Sequence, residues 1–315
     1  MQRILDPAQI EAFAERSLPR VRMPDPASLF ARRAQRLRSL GEQHSLGDYL
    51  RLMAALADAQ QGQLDELCPA LLSEQFAAYL GPQLELAHVH RMPLLQAAGW
   101  PRQERWRAIL KKLCAAVANV PGFPAAVHSV CERLIAAPDA ELEAQADLLI
   151  AARAEGVDAQ AAPFVMAALQ VYWAAMASTL QVGDVTQLDV PSVCPVCGSL
   201  PVASTVRTDK RSPQGYRYLH CGLCATEWHM VRITCSHCLN NEGITYHSIE
   251  GGSDAVRAEA CGKCHTYRKI LYQEKNTDVE PVADDLSSLA LDLLMTAEGF
   301  HRGSGNPLLW QHSET

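Results

Sequence analysis

The sequence predicts a multidomain α+β protein: an all-α helical bundle first, a duplicated, cysteine-rich β module second and a C-terminal helix last. Three observations carry that expectation. Ala- and Leu-rich stretches with apolar residues at helical spacing run to about residue 185. Beyond it the chain changes to short β-prone runs broken by Cys, Gly and Pro. Four Cys-x-x-Cys pairs fall in this second region: Cys194/Cys197, Cys221/Cys224, Cys235/Cys238 and Cys261/Cys264. Domains are therefore drawn at 1–185, 186–275 and 276–315, the middle one made of two ribbons at about 190–232 and 233–275.

In the first domain, Asp25-Pro26 supplies an N-cap and a first-turn proline for a helix over 27–40, with Leu29, Phe30, Leu37 and Leu40 on its apolar side. A second helix runs through Tyr49, Leu50, Leu52, Met53 and Leu56. Further helices are expected near 102–118, 124–136, 139–154 and 158–181, for a bundle of six to eight with close-packed Ala-rich faces. Arg16, Arg20, Arg22, Arg32, Arg33, Arg36 and Arg38 outnumber the local acids and read as a solvated face. Cys68, Cys114 and Cys131 stand alone in apolar helical contexts and read as buried small hydrophobes.

In the second domain, eight cysteines at this spacing are what two tetrahedral thiolate metal sites require. A two-residue gap lets the backbone form a tight knuckle that aims both sulfurs at one ion, and two knuckles complete a four-cysteine shell. The pattern also repeats: Arg217, Cys221, Gly222 and Cys224 recur forty residues on as Arg257, Cys261, Gly262 and Cys264. Duplication favours sequential pairing, first pair with second and third with fourth, while a cross-brace stays open. The neighbouring His220, His229, His237 and His265 are read as neighbours, since the cysteines already complete both shells. Cys-Pro-Val-Cys-Gly, with Gly198 easing the turn, occurs in rubredoxin-like iron sites and zinc ribbons alike, so two ions per chain are expected, iron or zinc. Strands are expected at 217–220, 227–234, 243–249 and 266–273. So small a β unit buries little surface, and its metals are expected to contribute on the order of 10 kcal/mol each to folding.

Closing the chain, Pro281 to Glu298 reads as one amphipathic helix with Val282, Leu286, Leu289, Leu293 and Leu294 on one side and Gly299 as its stop, a clasp between the domains.

Composition narrows the function. No stretch approaches the roughly 20 apolar residues of a membrane span, and the charged N-terminus lacks a secretory apolar core, so a cytoplasmic protein without membrane insertion is expected. Thiols stay reduced there, which favours metal ligation over disulfides. Between 190 and 275, ten Lys/Arg face seven Asp/Glu, several of the bases in the loop 207–211. Eight thiolates with two divalent ions outweigh that excess and the whole chain carries −7, which argues against nucleic acid as a partner. No phosphate-binding glycine loop, nucleophile elbow or zinc-protease helix is present, and two filled tetrathiolate shells leave no open coordination position, so no enzyme is expected. Electron transfer through iron remains an alternative, and a nucleic-acid-binding zinc ribbon a more distant one. Glu227-Trp228-His229 with Arg232 is the candidate partner surface, because Trp and Arg anchor interfaces; Trp228 packed under its knuckle is the competing reading.

Several segments together resemble the FdhE family of formate dehydrogenase accessory proteins. They are Leu-Phe-Ala-Arg-Arg-Ala-Gln-Arg-Leu (29–37), Cys-Pro-Val-Cys-Gly-Ser (194–199), Leu-His-Cys-Gly-Leu-Cys-Ala-Thr-Glu-Trp-His (219–229), Arg-Ile-Thr-Cys-Ser-His-Cys (232–238) and Asp-Asp-Leu-Ser-Ser-Leu-Ala-Leu-Asp (284–292). The resemblance runs from about residue 20 to Trp310. It implies a cytoplasmic maturation factor needed for active formate dehydrogenase, contacting the catalytic subunit before export and carrying rubredoxin-like metal sites for which iron is described. All eight family-type cysteines are present.

Overall fold

A computed structural model describes residues 19–71, 74–186, 188–209 and 212–310. Arg16, Lys210 and Arg211, part of the basic clusters noted above, lie outside the described residues. Seven helices precede residue 185 among the described residues: α1 (Leu29–Gly41), α2 (Gly47–Leu71), α3 (Glu74–His90), α4 (Arg105–Ala118), α5 (Ala125–Ala136), α6 (Asp139–Ile150) and α7 (Ala162–Ser178). α1 starts where Asp25 turns the chain, its carboxylate accepting from Ala27 N–H and the Ser28 hydroxyl. At the centre is α7, apolar around nearly its whole circumference and buried throughout, as a helix enclosed by others must be. Cys114 and Cys131 are buried and Cys68 is half-buried.

Among the described residues eight strands form one sheet: β1 (Val21–Arg22), β2 (Pro201–Asp209), β3 (Ser212–Cys221), β4 (Glu227–His229), β5 (Ile244–His247), β6 (Val256–Cys261), β7 (Thr266–Tyr272) and β8 (His301–Arg302). The order is β1-β4-β3-β2-β7-β6-β5, with β8 added beside β7. Within it, β2-β3-β4 and β5-β6-β7 are two antiparallel meanders of the same sense. They join where β2 runs parallel to β7, Ser204 opposite Ile270 and Val206 opposite Tyr272. The duplication seen in the sequence thus has a structural counterpart: the last strand of the second copy extends the sheet at the first strand of the first.

The two copies are embedded differently. Cys194, Val196, Cys197, Val202, Leu219, Leu223 and Cys224 belong to the same continuous hydrophobic core as the helices, so the first ribbon is no free-standing module short of buried surface. The second copy packs on small separate clusters, chiefly Ala258, Ala260 and Tyr267 against Leu291 and Met295.

The C-terminal segment departs from the single helix expected. It divides at Ser288 into α8 (Pro281–Ser287) and α9 (Leu289–Ala297). The buried Lys269 ammonium donates to the carbonyls of Asp285 (2.8 Å) and Ser288 (3.0 Å) and reaches Asp292 Oδ2 at 2.7 Å. These carbonyls turn to the lysine, the second half rotates, and Leu291 and Met295 enter the core while Leu293 is left 74 % exposed and Leu294 half exposed. The solvated-face reading of the N-terminal arginines also needs correction. Arg38 is exposed, but Arg33 is buried and donates to Glu280 Oε1 at 3.0 Å, and Arg36 grips Asp284 through two hydrogen bonds (2.9 and 2.6 Å). Their partners lie about 250 residues downstream, at the N-cap and in the first turn of α8, which no local pattern reveals.

Candidate metal centres

The structure brings the eight cysteines together as two sequential clusters, Cys194/Cys197/Cys221/Cys224 and Cys235/Cys238/Cys261/Cys264. In each, the sulfurs lie within 4.8 Å of one another, and no histidine takes part. Each cluster joins the loop before a meander to the turn between its second and third strands, so the sheet itself sets the spacing of the knuckles.

All four knuckles share one backbone. The residue after the second cysteine has positive φ in every case: Gly198 (77°), Ala225 (58°), Leu239 (62°) and His265 (54°). In three of them its N–H donates to the carbonyl of the first cysteine at 2.9–3.0 Å, from Gly198 to Cys194, Leu239 to Cys235 and His265 to Cys261. Only the first knuckle demands glycine for space as well as angle, because a Cβ on Gly198 would lie 2.7 Å from Gln96 Oε1 and 3.2 Å from Pro93 Cγ.

Backbone amides also point at sulfur. Leu223 N–H and Cys224 N–H lie 3.4 Å from Cys221 Sγ, and His237 N–H and Cys238 N–H lie 3.4 and 3.5 Å from Cys235 Sγ. Such donors stabilise thiolates. Asn240 Nδ2 approaches Cys261 Sγ at 3.9 Å, and the Thr226 hydroxyl lies 3.2 Å from Cys224 Sγ. An ion about 2.3 Å from four tetrahedral sulfurs needs them about 3.8 Å apart. Across the second cluster the separations are 3.7 and 3.8 Å, and across the first 3.5 and 3.3 Å. The donor set therefore suits a four-coordinate thiolate ion, zinc or iron.

Burial separates the two clusters. All four cysteines of the first are buried; in the second, Cys235 and Cys261 are buried, Cys264 is half-buried and Cys238 is exposed. Helical-domain residues clamp the first cluster. Leu95 N–H donates to Val196 O at 2.6 Å, Ala97 N–H to Cys197 O at 2.9 Å, and Gln170 Nε2 of α7 to Gly222 O at 2.7 Å. Gln170 also accepts from Gln60 Nε2 (3.0 Å) and Arg33 Nη1 (3.3 Å). Neither Gln96, in the loop between α3 and α4, nor Gln170, inside the alanine-rich α7, carries a sequence signal of its role.

Beneath the second knuckle, Glu227 receives Arg207 at 2.7 and 2.6 Å and lies 3.3 Å from His220 Nδ1. Burial would raise its carboxyl, yet His220 and Arg207 hold it at about 2. Trp228 is not the exposed anchor of the partner-surface reading: it is 5 % exposed and its indole N–H donates to Pro191 O at 2.8 Å. It floors a cleft of about 290 Å³ lined by Val190, Pro195, His229, Val231 and Leu239. His229 packs edge-on against Tyr216 and Tyr218; burial, with Arg217 and Arg20 nearby, lowers its pKa to about 4. The Arg232 guanidinium sits 6.0 Å over the Tyr272 ring. No described helix is long and apolar enough to cross a membrane.

Comparison with known proteins agrees with this architecture. Residues 18–189 match the family model "FdhE, N-terminal", 193–232 "FdhE, central domain" and 233–309 "FdhE, C-terminal domain". The chain is 42 % identical to "Protein FdhE homolog" of Cronobacter sakazakii, over 98 % of its own length and 97 % of that protein. It is also 42 % identical to "Protein FdhE" of Salmonella paratyphi A, over 93 % and 92 %. The crystal structure of the FdhE protein from Pseudomonas aeruginosa superposes with a TM-score of 0.81 at 38 % identity, covering 92 % of this chain and 99 % of that one. Sequence relationship along nearly the whole length, a shared fold and an intact pair of four-cysteine clusters make this chain a member of the FdhE family.

Proposed function

We propose that this chain is a cytoplasmic accessory factor for formate dehydrogenase that binds the enzyme's catalytic subunit before export, holds one metal ion in each four-cysteine cluster and performs no catalysis of its own. The observation that carries the reading is near-full-length similarity to FdhE proteins together with all eight cysteines gathered into two ligand sets. Cys194, Cys197, Cys221 and Cys224 would hold one ion and Cys235, Cys238, Cys261 and Cys264 the other. Zinc would supply a cross-link alone, whereas iron would add one-electron chemistry. The chain's own residues do the positioning: amides of the knuckles face the sulfurs, Ala97 fixes the Cys194/Cys197 knuckle and Gln170 the Cys221/Cys224 knuckle against the helices. For the client we assign the cleft floored by Trp228 and rimmed by His229, with Arg232 on the following turn.

Two experiments test this. Tagged chain should retain the catalytic subunit of formate dehydrogenase from extracts of cells making both, and cells lacking the chain should lose formate dehydrogenase activity. Undiminished activity without the chain, and no capture, would sink the proposal. Electron transfer is the second reading, favoured by the solvent-facing edge of the second cluster. Two irons per chain that bleach and recolour reversibly would establish it, and two zincs would exclude it.

A further inference from the structure

The two clusters have the same ligands and the same knuckle backbone, yet their surroundings are opposite. Around the first, every sulfur is buried in the main core. Its two knuckles are held from outside the ribbon, by Leu95 and Ala97 on one and by Gln170 on the other. Spreading these knuckles means separating the sheet from the helices. At the second cluster the described backbone hydrogen bonds at the knuckles come from the sheet and not from the helices: Cys235 N–H to Asn240 O, Gly262 N–H to Gly243 O and His301 N–H to His265 O, with Arg217 Nη2 of β3 donating to Thr234 O just before the knuckle at 2.8 Å. No helical-domain residue clamps them among the described bonds. The exposed Cys238 stands between exposed His237 and Leu239, and half-buried Cys264 between exposed Lys263 and His265.

Ligand exchange at a thiolate site requires that an incoming group reach either the ion or a sulfur, and that the knuckles give way. The exposure of Cys238 and the half-burial of Cys264 meet the first condition, which the buried first cluster does not; for the second, the ties at this cluster come from the sheet, so its knuckles can open without separating sheet from helices, as those of the first cannot.

We propose that the centres are functionally divided: Cys194/Cys197/Cys221/Cys224 is a locked structural site, and Cys235/Cys238/Cys261/Cys264 is the exchange site, through which the protein gains and loses metal by way of Cys238 and Cys264. On exchange, the four thiolates give up the ion to an incoming chelating ligand and take up protons from water, with no change of oxidation state. The inference rests on the reading that both clusters bind metal, and it does not depend on the client.

The test uses the full chain loaded with two zinc ions and challenged with the chromophoric chelator 4-(2-pyridylazo)resorcinol. One equivalent should leave at least about tenfold faster than the other, with helical circular dichroism unchanged during the fast phase. Quenching with iodoacetamide during that phase, followed by peptide mass spectrometry, should find label on Cys238 and Cys264 while Cys194, Cys197, Cys221 and Cys224 stay unlabelled. Cys238→Ser should abolish the fast equivalent and keep the slow one, and Cys238→His should restore a stoichiometry of two. Release of both ions in one phase, or first labelling within the buried cluster, overturns the proposal, and the wild-type data decide even if the variants fail to fold. Uptake of fewer than two zinc ions would instead overturn the metal-binding reading, and this inference with it.

Discussion

Gln170 Nε2 donates to the carbonyl of Gly222 at 2.7 Å, so a glutamine at the middle of the most buried helix holds the second cysteine knuckle in place. Its Oε1 simultaneously receives Gln60 and Arg33, and Arg33 carries the connection on to Glu280, the N-cap of α8. One amide thereby links the helical bundle, the first metal ribbon and the C-terminal clasp.

Replacing it tests that link. Gln170→Met keeps the volume but leaves the Gly222 carbonyl without its donor, while the Gln60 amide keeps its bond to Ala167 O, and one buried unsatisfied group costs about 1–3 kcal/mol. A loss of about 1–3 kcal/mol in chemical denaturation is expected. Zinc should also leave the first cluster faster, which a purely local packing defect in α7 would not produce. Unchanged stability would show that water or a rearranged knuckle replaces the bond.

Gly198 is expected to be the least substitutable of the four knuckle residues with positive φ. A side chain there meets Gln96 and Pro93 and adopts a left-handed backbone; Gly198→Ala should cost about 1–3 kcal/mol and weaken zinc retention in the first cluster. At the equivalent place in the next knuckle, Ala225 already tolerates a φ of 58°, so Ala225→Gly should change stability by less than about 1 kcal/mol in either direction. Thermal denaturation of both variants decides, and equal effects would contradict the steric argument.

Lys269 explains why the C-terminal segment is two helices, and removing its charge should show it. Lys269→Met leaves the buried carboxylate of Asp285 and that of Asp292 with Arg302 as their remaining cation. Breaking a buried pair on one side typically costs about 3–5 kcal/mol. Amide hydrogen exchange should rise first in α9, whose attachment otherwise depends mainly on Leu291 and Met295. Wild-type protection there would mean that apolar contact alone docks the helix.

What the sequence disclosed and what it hid divide along a physical line. The knuckles and most of the helices of the bundle were legible because spacings of two residues and of three to four are local, and Leu37, Leu50 and Met53 are buried at the positions their period demands. Glu74–His90 escaped notice, its pattern interrupted by Gly81 and Pro82. Strand Val256–Cys261 was missed because its inward residues include Glu259, a charge that becomes acceptable in the interior only once Arg217 of the other copy is opposite it. Pro201–Asp209 hides in the same way, burying Ser204 and Thr205 at the junction with β7. Arg33 and Arg36 look like solvent-facing charges until the distant α8 supplies Glu280 and Asp284. The candidate site shows the same division: its eight ligands were visible, whereas the burial that distinguishes one cluster from the other depends on residues such as Leu95, Ala97 and Gln170, roughly 50 to 100 residues away in the chain.

His229 makes the protein's stability depend on pH in a defined window. Burial, with Arg217 and Arg20 adding repulsion, lowers its pKa from 6.5 to about 4. The unfolded chain therefore takes up the proton first as pH falls, so the contribution is complete above about 6.5 and is lost progressively toward 4. Between pH 6.5 and 5 this amounts to about 1–2 kcal/mol. His229→Phe keeps an aromatic ring against Tyr216 and Tyr218 but cannot titrate. Urea denaturation at pH 7, 6 and 5 should show wild-type stability declining relative to the variant over that range. A constant difference between the two proteins would mean that the imidazole is protonated equally easily in both states, and that the ring is solvated where the structure buries it.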